Sequence, residues 1–310
     1  MTSGYRALRE SAAWLDLSGR GKVLAFGEDR ARLLHAMTTN QVEGLAEASG
    51  CYAFFLNAQG RILGDVNLFR MLDHFLLDTE PETAAKLREH LDRYIIADDV
   101  TLEDVTAATA TIAVEGPRAA DLLAALGAPV PDAPYGHLAW EDRTVARVDS
   151  TGAGGFFLFL PAGGKAELIR QLEAAGITGA SAEDAHVVRL EHGRPRYGED
   201  ITEDDVPQET QVLRAVHFNK GCYIGQEIVE RIRSRGHVNR LLVRLEIDTA
   251  QPPARGTELP GGAITSAAYS PALGKVVALG YVQADAARPG AEFLVDGAPA
   301  EVVAFDSVTH

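Results

Sequence analysis

One eight-residue stretch combines a thiol, an amine and a predicted helix start, and this combination could do chemistry. It reads Lys220-Gly221-Cys222-Tyr223-Ile224-Gly225-Gln226-Glu227. A helix is predicted from Gln226 onward, because Ile228 and Ile232 recur at helical spacing and Gly225 suits the cap position. Cys222 then precedes a helix N-terminus, with Lys220 two residues away. A helix dipole and a neighbouring ammonium both favour thiolate over thiol, so a reactive or metal-contacting Cys222 is one interpretation.

The ordinary role of a lone cysteine is that of a small buried hydrophobe, and this alternative stays open for Cys222. Cys51, the other cysteine, lies within an apolar run and is predicted to be core. Asp65 follows a predicted hairpin turn. It is interpreted either as a catalytic carboxylate or as a residue that stabilises the turn.

Positive charge is concentrated around this stretch in an otherwise acidic chain. Two interpretations stand: a solvated helix face with weak ion pairs, or a site for an anion such as a polyglutamate tail or an acidic partner surface. The residues concerned are Lys220, Arg231, Arg233, Arg235, Arg240, His217 and His237.

Composition excludes several classes of function. The formal net charge is −15, which argues against binding to nucleic acid or to an anionic membrane, because both require a basic surface. No apolar stretch has the length of a membrane span or of a signal peptide. The two cysteines form no Cys-x-x-Cys pair, so no metal or cluster site of the protein's own is predicted. We expect a cytoplasmic protein.

The order of predicted elements indicates an α+β fold. Strand-like runs and helical patterns alternate irregularly up to about residue 239, with two predicted hairpins at 51–69 and 144–160. After that point, short β-type runs separated by Pro and Gly predict a small barrel. We therefore predict two regions, 1–239 and 240–310.

The residues of the 220–227 stretch match the signature of the YgfZ-type family, a branch of the glycine-cleavage T-protein (aminomethyltransferase-like) superfamily. Further stretches resemble the same family, including Thr39-Asn40, residues 190–195 and residues 264–266. The resemblance implies a three-lobed fold around a central folate-sized hole, with two α+β lobes and a C-terminal β-barrel. It also implies binding of tetrahydrofolate and a role in iron–sulfur cluster assembly or repair, with client or assembly proteins as partners.

Roles for individual residues follow from that resemblance. We assign Cys222, Lys220 and Asp65 to catalysis, with the sulfur held in activated form at the mouth of the cavity. Folate contacts are assigned to Tyr223, Gly225, Gln226, Glu227, Arg231 and Asn40.

The sequence departs from the aminomethyltransferases of the superfamily at two places. Their glycine-rich hairpin carries glutamates, one of which grips the pterin, whereas residues 151–157 here contain none. Of their Asp-Asp pair only Asp65 remains. A folate-dependent aminomethyl- or methyltransferase is therefore kept as the alternative function. A binding protein without chemistry is the third possibility.

Overall fold

The computed structural model describes residues 1–236 and 238–305. These residues form three β-sheets with helices packed around them. The helices are α1 (Ser3–Glu10), α2 (Arg30–Met37), α3 (Ala84–Asp92), α4 (Ala119–Ala125), α5 (Lys165–Ala174), α6 (Ala182–Glu191) and α7 (Gln226–Arg235). The strands are β1 (Ala13–Asp16), β2 (Gly21–Phe26), β3 (Ser49–Leu56), β4 (Ile62–Arg70), β5 (Phe75–Thr79), β6 (Thr101–Asp104), β7 (Thr109–Glu115), β8 (His137–Trp140), β9 (Arg143–Ala146), β10 (Gly155–Pro161), β11 (Thr178–Gly179), β12 (Arg240–Ile247), β13 (Glu258–Leu259), β14 (Gly262–Ser270), β15 (Lys275–Gln283), β16 (Glu292–Val295) and β17 (Ala298–Val303).

The first lobe is built on a five-stranded sheet in the order β3-β4-β5-β2-β6. The predicted hairpin at 51–69 is formed by β3 and β4, and Gly60 at its turn has φ +74°, which favours glycine. Helices α2 and α3 cover this sheet and bury Leu34, Leu87 and Leu91 in its core.

The second lobe is built on a six-stranded sheet in the order β11-β1-β7-β10-β9-β8. The predicted hairpin at 144–160 corresponds to β9 and β10. The short β1–β11 pair is parallel, and the other pairs of this sheet are antiparallel. Helices α4 and α5 pack on it through Leu123, Leu168 and Leu172.

The third sheet contains the strands after Arg240, in the order β13-β14-β15-β12-β17-β16, and is wholly antiparallel over the described residues. Its core includes Val243, Leu245 and Val276. The predicted fold class is confirmed: two α+β lobes are followed by an antiparallel β domain. Within the described chain, no helix is long and apolar enough to cross a membrane.

A shared apolar cluster joins the three sheets, and buried acids on and near α6 fix the third sheet to the others. Phe69 of β4, Phe157 of β10 and Val277 of β15 all belong to this cluster. Glu191 of α6 accepts hydrogen bonds from Tyr5 and Arg9 of α1 and from Ser270 of β14.

Asp200 makes a second link of the same kind. It accepts from Arg189 of α6 at 2.7 Å and from Thr265 of β14 at 2.6 Å, and it also accepts from Ser266. Buried carboxylates need such donors, because an unpaired buried charge is costly. The third sheet therefore holds α6, and with it Arg189, in a fixed position.

Candidate functional site

A cavity of about 470 Å³ lies between the two α+β lobes. The first sheet contributes Tyr52, Asp65 and Asn67 to its wall, and the second contributes Trp14 and Phe157. Its further walls come from the glycine-rich hairpin and from α6 with the segment after it. This volume falls in the range of small-molecule pockets, roughly 300–1,000 Å³.

Asp65 is the carboxylate of this cavity with unused hydrogen-bonding capacity. It lies in the middle of β4, opposite Phe54 of β3, and is 7% exposed. The Tyr52 hydroxyl donates to its Oδ2 at 2.7 Å, while its buried Oδ1 has no partner among the described residues. Burial, reinforced by the charge of Glu80, raises the pKa of Asp65 to about 6. The interpretation of Asp65 as a turn residue is therefore wrong, because it is an interior strand residue facing a ligand-sized space.

The remaining acids of the cavity wall are neutralised in pairs. Glu80 contacts Arg20 and Arg196, which hold its pKa below the usual value despite its burial. Asp149 lies 3.7 Å from Arg194. Glu199 lies 2.6 Å from Arg189, and Asp16 pairs with Lys165 at 3.0 Å.

The glycine-rich hairpin is shaped by a carboxylate that comes from β7. Glu115 is fully buried and accepts from the backbone N–H groups of Ser150 and Thr151 at 2.8 and 3.0 Å, as well as from both hydroxyls. Burial, with a contribution from Asp149, raises the pKa of Glu115 to about 7. Glu115 thus holds the loop, and Asp149 is the acid of this loop that lines the cavity.

The Thr39-Asn40 pair connects β3 to the segment before the 220–227 stretch. The Asn40 side-chain amide donates to the carbonyls of Tyr52 at 2.8 Å and Arg214 at 2.9 Å. The Thr39 hydroxyl donates to Ala215 O and accepts from Phe54 N. Asn40, predicted to contact folate, lies behind the cavity wall and holds two of its residues together.

Lys220 donates hydrogen bonds to the C-terminal end of α2. Its ammonium is buried and donates to the carbonyls of His35 and Thr38, the latter at 2.6 Å. The Ile224 N–H donates to Ala36 O at 3.2 Å. The last carbonyls of a helix lack partners within the helix, so these contacts supply them. Burial lowers the pKa of Lys220 to about 8.

Two further residues of the stretch are packing residues. Tyr223 is 8% exposed and belongs to the same apolar cluster as Phe54 and Leu56. Its hydroxyl has no hydrogen-bond partner among the described residues. Gly225 has φ +82° and precedes α7, as predicted. A Cβ at position 225 would come within 2.7 Å of the Asn57 carbonyl oxygen, so this close contact with the β3–β4 turn requires glycine.

Cys222 is exposed and is not among the residues that line the cavity in the described chain. The Lys220 ammonium turns inward to α2 while Cys222 lies on the surface, an arrangement that differs from the predicted pairing of amine and thiolate. Cys51 is buried as predicted, and burial raises the pKa of its thiol to about 12.

The predicted basic patch separates into local ion pairs. Arg231 lies 2.6 Å from Glu227, Arg233 lies 3.5 Å from Glu230, and Arg240 lies 2.8 Å from Asp205. His237 lies outside the described residues, as does the side chain of Arg235. The pairs that are described agree with the interpretation as a solvated face.

Of the predicted site residues, Asp65 alone lines the cavity in the described chain. Cys222, Lys220, Tyr223, Gly225, Gln226, Glu227 and Arg231 form a separate region around the start of α7, and Asn40 lies between the two regions.

Sequence reasoning missed Tyr52, Asn67 and Arg214 as cavity residues. Asp65 and Asn67 are polar residues two apart in an otherwise apolar strand, and this spacing indicates a polar face. Arg214 lies in a single 3-10 turn, Leu213–Ala215, and carries no such pattern in the sequence.

The sequence patterns of two domains match this chain. The GCVT N-terminal domain matches residues 1–220, and the glycine cleavage T-protein C-terminal barrel domain matches residues 240–307. The chain belongs to the glycine cleavage T-protein family. Aminomethyltransferases of this family use tetrahydrofolate, which is the ligand that the family resemblance implies.

Individual relatives agree with this assignment. An aminomethyltransferase of Rubrobacter xylanophilus is 31% identical over 90% of this chain and 78% of its own length. One from Herpetosiphon aurantiacus is 32% identical over 93% of this chain and 83% of its own length. The crystal structure of the glycine cleavage system aminomethyltransferase T from Bartonella henselae superimposes with a TM-score of 0.88. At 23% identity, it covers 97% of this chain and 87% of that chain, and it shows the fold.

Replacing Lys220 tests its role at the end of α2. We expect Lys220→Met to lower the free energy of unfolding by about 1–3 kcal/mol, because two carbonyls lose their donor. Cys222→Ala, in the same loop but exposed, should change it by no more than about 0.5 kcal/mol. Urea denaturation of both variants measures the difference, and equal stabilities would contradict the proposed role of Lys220.

The raised pKa of Asp65 predicts a pH-dependent stability difference. Its folded-state pKa of about 6 exceeds the ordinary value of 3.8, so the folded state binds the additional proton between these values and loses stability as the pH rises through them. Asp65→Asn removes this loss. Above pH 6 the variant should be more stable than the wild type by on the order of 2–3 kcal/mol, and the difference should largely vanish near pH 4. The exposed Asp142→Asn is the control in denaturation series at each pH, and a difference independent of pH would contradict the assignment.

Proposed function

We propose that this chain binds tetrahydrofolate in the central cavity and acts, in that form, as an accessory protein of iron–sulfur cluster assembly or repair. The observation that carries the folate part is the unpartnered Oδ1 of Asp65 in the cavity wall. A pterin has several N–H donors, and an ionised carboxylate is a strong acceptor for them. Membership of a family whose aminomethyltransferases use tetrahydrofolate supports the same ligand.

The missing hairpin glutamates are compensated in part by other acids. Asp149 lies at the start of the hairpin loop and lines the cavity, while Asp65 faces the same space from β4. Asp65 can thus contact the ligand directly, while Asp149, which is already paired with Arg194 and with the Gly152 N–H, adds negative charge to the same cavity.

The cluster-assembly part rests on the 220–227 stretch, which resembles the YgfZ-type branch. Its thiol is exposed and lies outside the cavity, so a partner protein can reach it without displacing the folate. An accessible thiolate is a ligand for iron–sulfur clusters. The proposed partners are therefore iron–sulfur client or assembly proteins that dock near the start of α7.

Aminomethyl transfer is the second candidate, favoured by the ionisation of Asp65. A carboxyl group with a pKa near 6 suits proton transfer at neutral pH. Formation of methylene-tetrahydrofolate from tetrahydrofolate and an aminomethylated lipoyl carrier protein would favour this candidate over the accessory role.

Calorimetric titration with tetrahydrofolate under anaerobic conditions tests the ligand. We expect binding that strengthens as the pH rises through about 6, because the ionised form of Asp65 is the better acceptor. Asp65→Asn should weaken binding about tenfold and remove this pH dependence, since a neutral amide replaces a charged acceptor. Asp142→Asn should bind as the wild type does. Absence of binding by the wild-type chain would overturn the folate proposal.

Complementation tests the role of the thiol. In cells that lack the endogenous protein, we expect Cys222→Ala to leave the activity of iron–sulfur enzymes several-fold below the wild-type level. Cys51→Ala removes the other thiol, which is buried, and should restore activity. The folate affinity of Cys222→Ala should be unchanged, because the residue lies outside the cavity. Full restoration by Cys222→Ala would contradict the cluster role.

A further inference from the structure

We propose that Arg214 binds a carboxylate group in the central cavity. The inference rests on the proposed binding of folate in the same cavity and adds a second recognition element to it. The ligand class is a carboxylate placed near an N–H donor, and Arg214 is the residue that selects it.

Arg214 differs from the other arginines of the cavity wall because it has no carboxylate partner among the described residues. Five arginines line the cavity, namely Arg20, Arg189, Arg194, Arg196 and Arg214. Four of them lie within ion-pair distance of carboxylates, at separations up to 3.7 Å. Arg214 has no carboxylate within 4.0 Å in the described chain. A guanidinium without a carboxylate partner in a partly enclosed space is suited to an anionic ligand.

Arg214 is held in place by groups that leave its charge unneutralised. Its guanidinium lies over the ring of Tyr52, with 5.1 Å between the guanidinium carbon and the ring centre. Tyr135 also lines the cavity, and the charge of Arg214 opposes the burial that raises the pKa of its hydroxyl. Its backbone carbonyl is fixed by Asn40, which fixes the Tyr52 carbonyl as well. The position of the cation is therefore determined before any ligand arrives, which lowers the cost of binding.

The complementary group lies at the other end of the same tyrosine. The Tyr52 hydroxyl donates to Asp65, whose second oxygen has no partner among the described residues. Tyr52 thus lies between the Asp65 carboxyl group and the Arg214 guanidinium, which do not approach within ion-pair distance of each other. A ligand with an N–H donor and a carboxylate matches both groups.

Two sources can supply such a carboxylate. One is the glutamyl group of the folate itself, whose pterin provides the N–H donors. The other is a small α-amino acid that binds beside the folate, with its amine toward Asp65. The chemistry that Arg214 recognises is the same in both cases.

Calorimetry with paired probes distinguishes these sources. The proteins are the full-length wild type, Arg214→Gln, Arg214→Lys and the control Arg88→Gln, which changes an exposed arginine of α3. Each is titrated with tetrahydrofolate and with 6-methyltetrahydropterin, which lacks the glutamyl group. Glycine and methylamine, which differ by the carboxylate, are then titrated into each folate-loaded protein. Melting curves confirm that each variant is folded.

Two results support the proposal. If the glutamyl group is the source, Arg214→Gln weakens tetrahydrofolate binding about tenfold to a hundredfold and leaves 6-methyltetrahydropterin within twofold. If a separate amino acid is the source, both pterin ligands bind Arg214→Gln normally. Glycine then binds the folate-loaded wild type but not folate-loaded Arg214→Gln, and methylamine binds neither. In both cases Arg214→Lys is intermediate and Arg88→Gln behaves as the wild type.

Other results overturn it. Equal weakening of tetrahydrofolate and 6-methyltetrahydropterin would mean that Arg214 supports the pterin or Tyr52 and does not bind a carboxylate. If Arg214→Gln binds both pterin ligands as the wild type does, and the folate-loaded wild type does not bind glycine, Arg214 binds no carboxylate and the proposal is wrong. If the wild type binds neither pterin, the proposed function itself fails, a result distinct from a failure confined to the variant.

Discussion

The end of helix α2 takes several of its hydrogen-bond donors from a distant part of the chain. The donors come from the loop that begins at Lys220, 185 positions after His35. The buried ammonium and the Ile224 N–H together satisfy carbonyls of the last turn. Directly after this turn, Thr39 and Asn40 bind the backbone of β3 and of the segment around Arg214. One helix end therefore fixes both a cavity wall and the loop that carries the exposed thiol.

The cavity wall combines neutral pairs with two unpaired groups. Most of its acids and arginines neutralise each other, which offsets part of the cost of keeping them away from bulk water. Asp65 and Arg214 are the exceptions, and Tyr52 contacts both. Unpaired groups in a partly enclosed site cost stability, and proteins retain such groups where ligands compensate for them. The same two groups thus weaken the empty protein and select what enters it.

Local sequence rules predicted local structure well. Gly225 before α7 and the two hairpins follow from spacing and residue type, and the structure contains them. The partner of Lys220 could not be predicted, because proximity along the chain suggested the thiol of Cys222, whereas a distant helix end competed for the ammonium. Arg214 was missed for a similar reason, since its role depends on which other arginines find carboxylates in the folded protein.

The two cysteines occupy opposite environments: the thiol of Cys51 is buried in the first lobe and that of Cys222 is open to solvent. Alkylating reagents attack thiolates that they can reach, so the native protein should take up one label per molecule without any engineering. A fluorophore attached in this way would stand outside the cavity while its loop remained joined to the end of α2. It would give spectroscopy a fixed reporter on the face where partner proteins are expected.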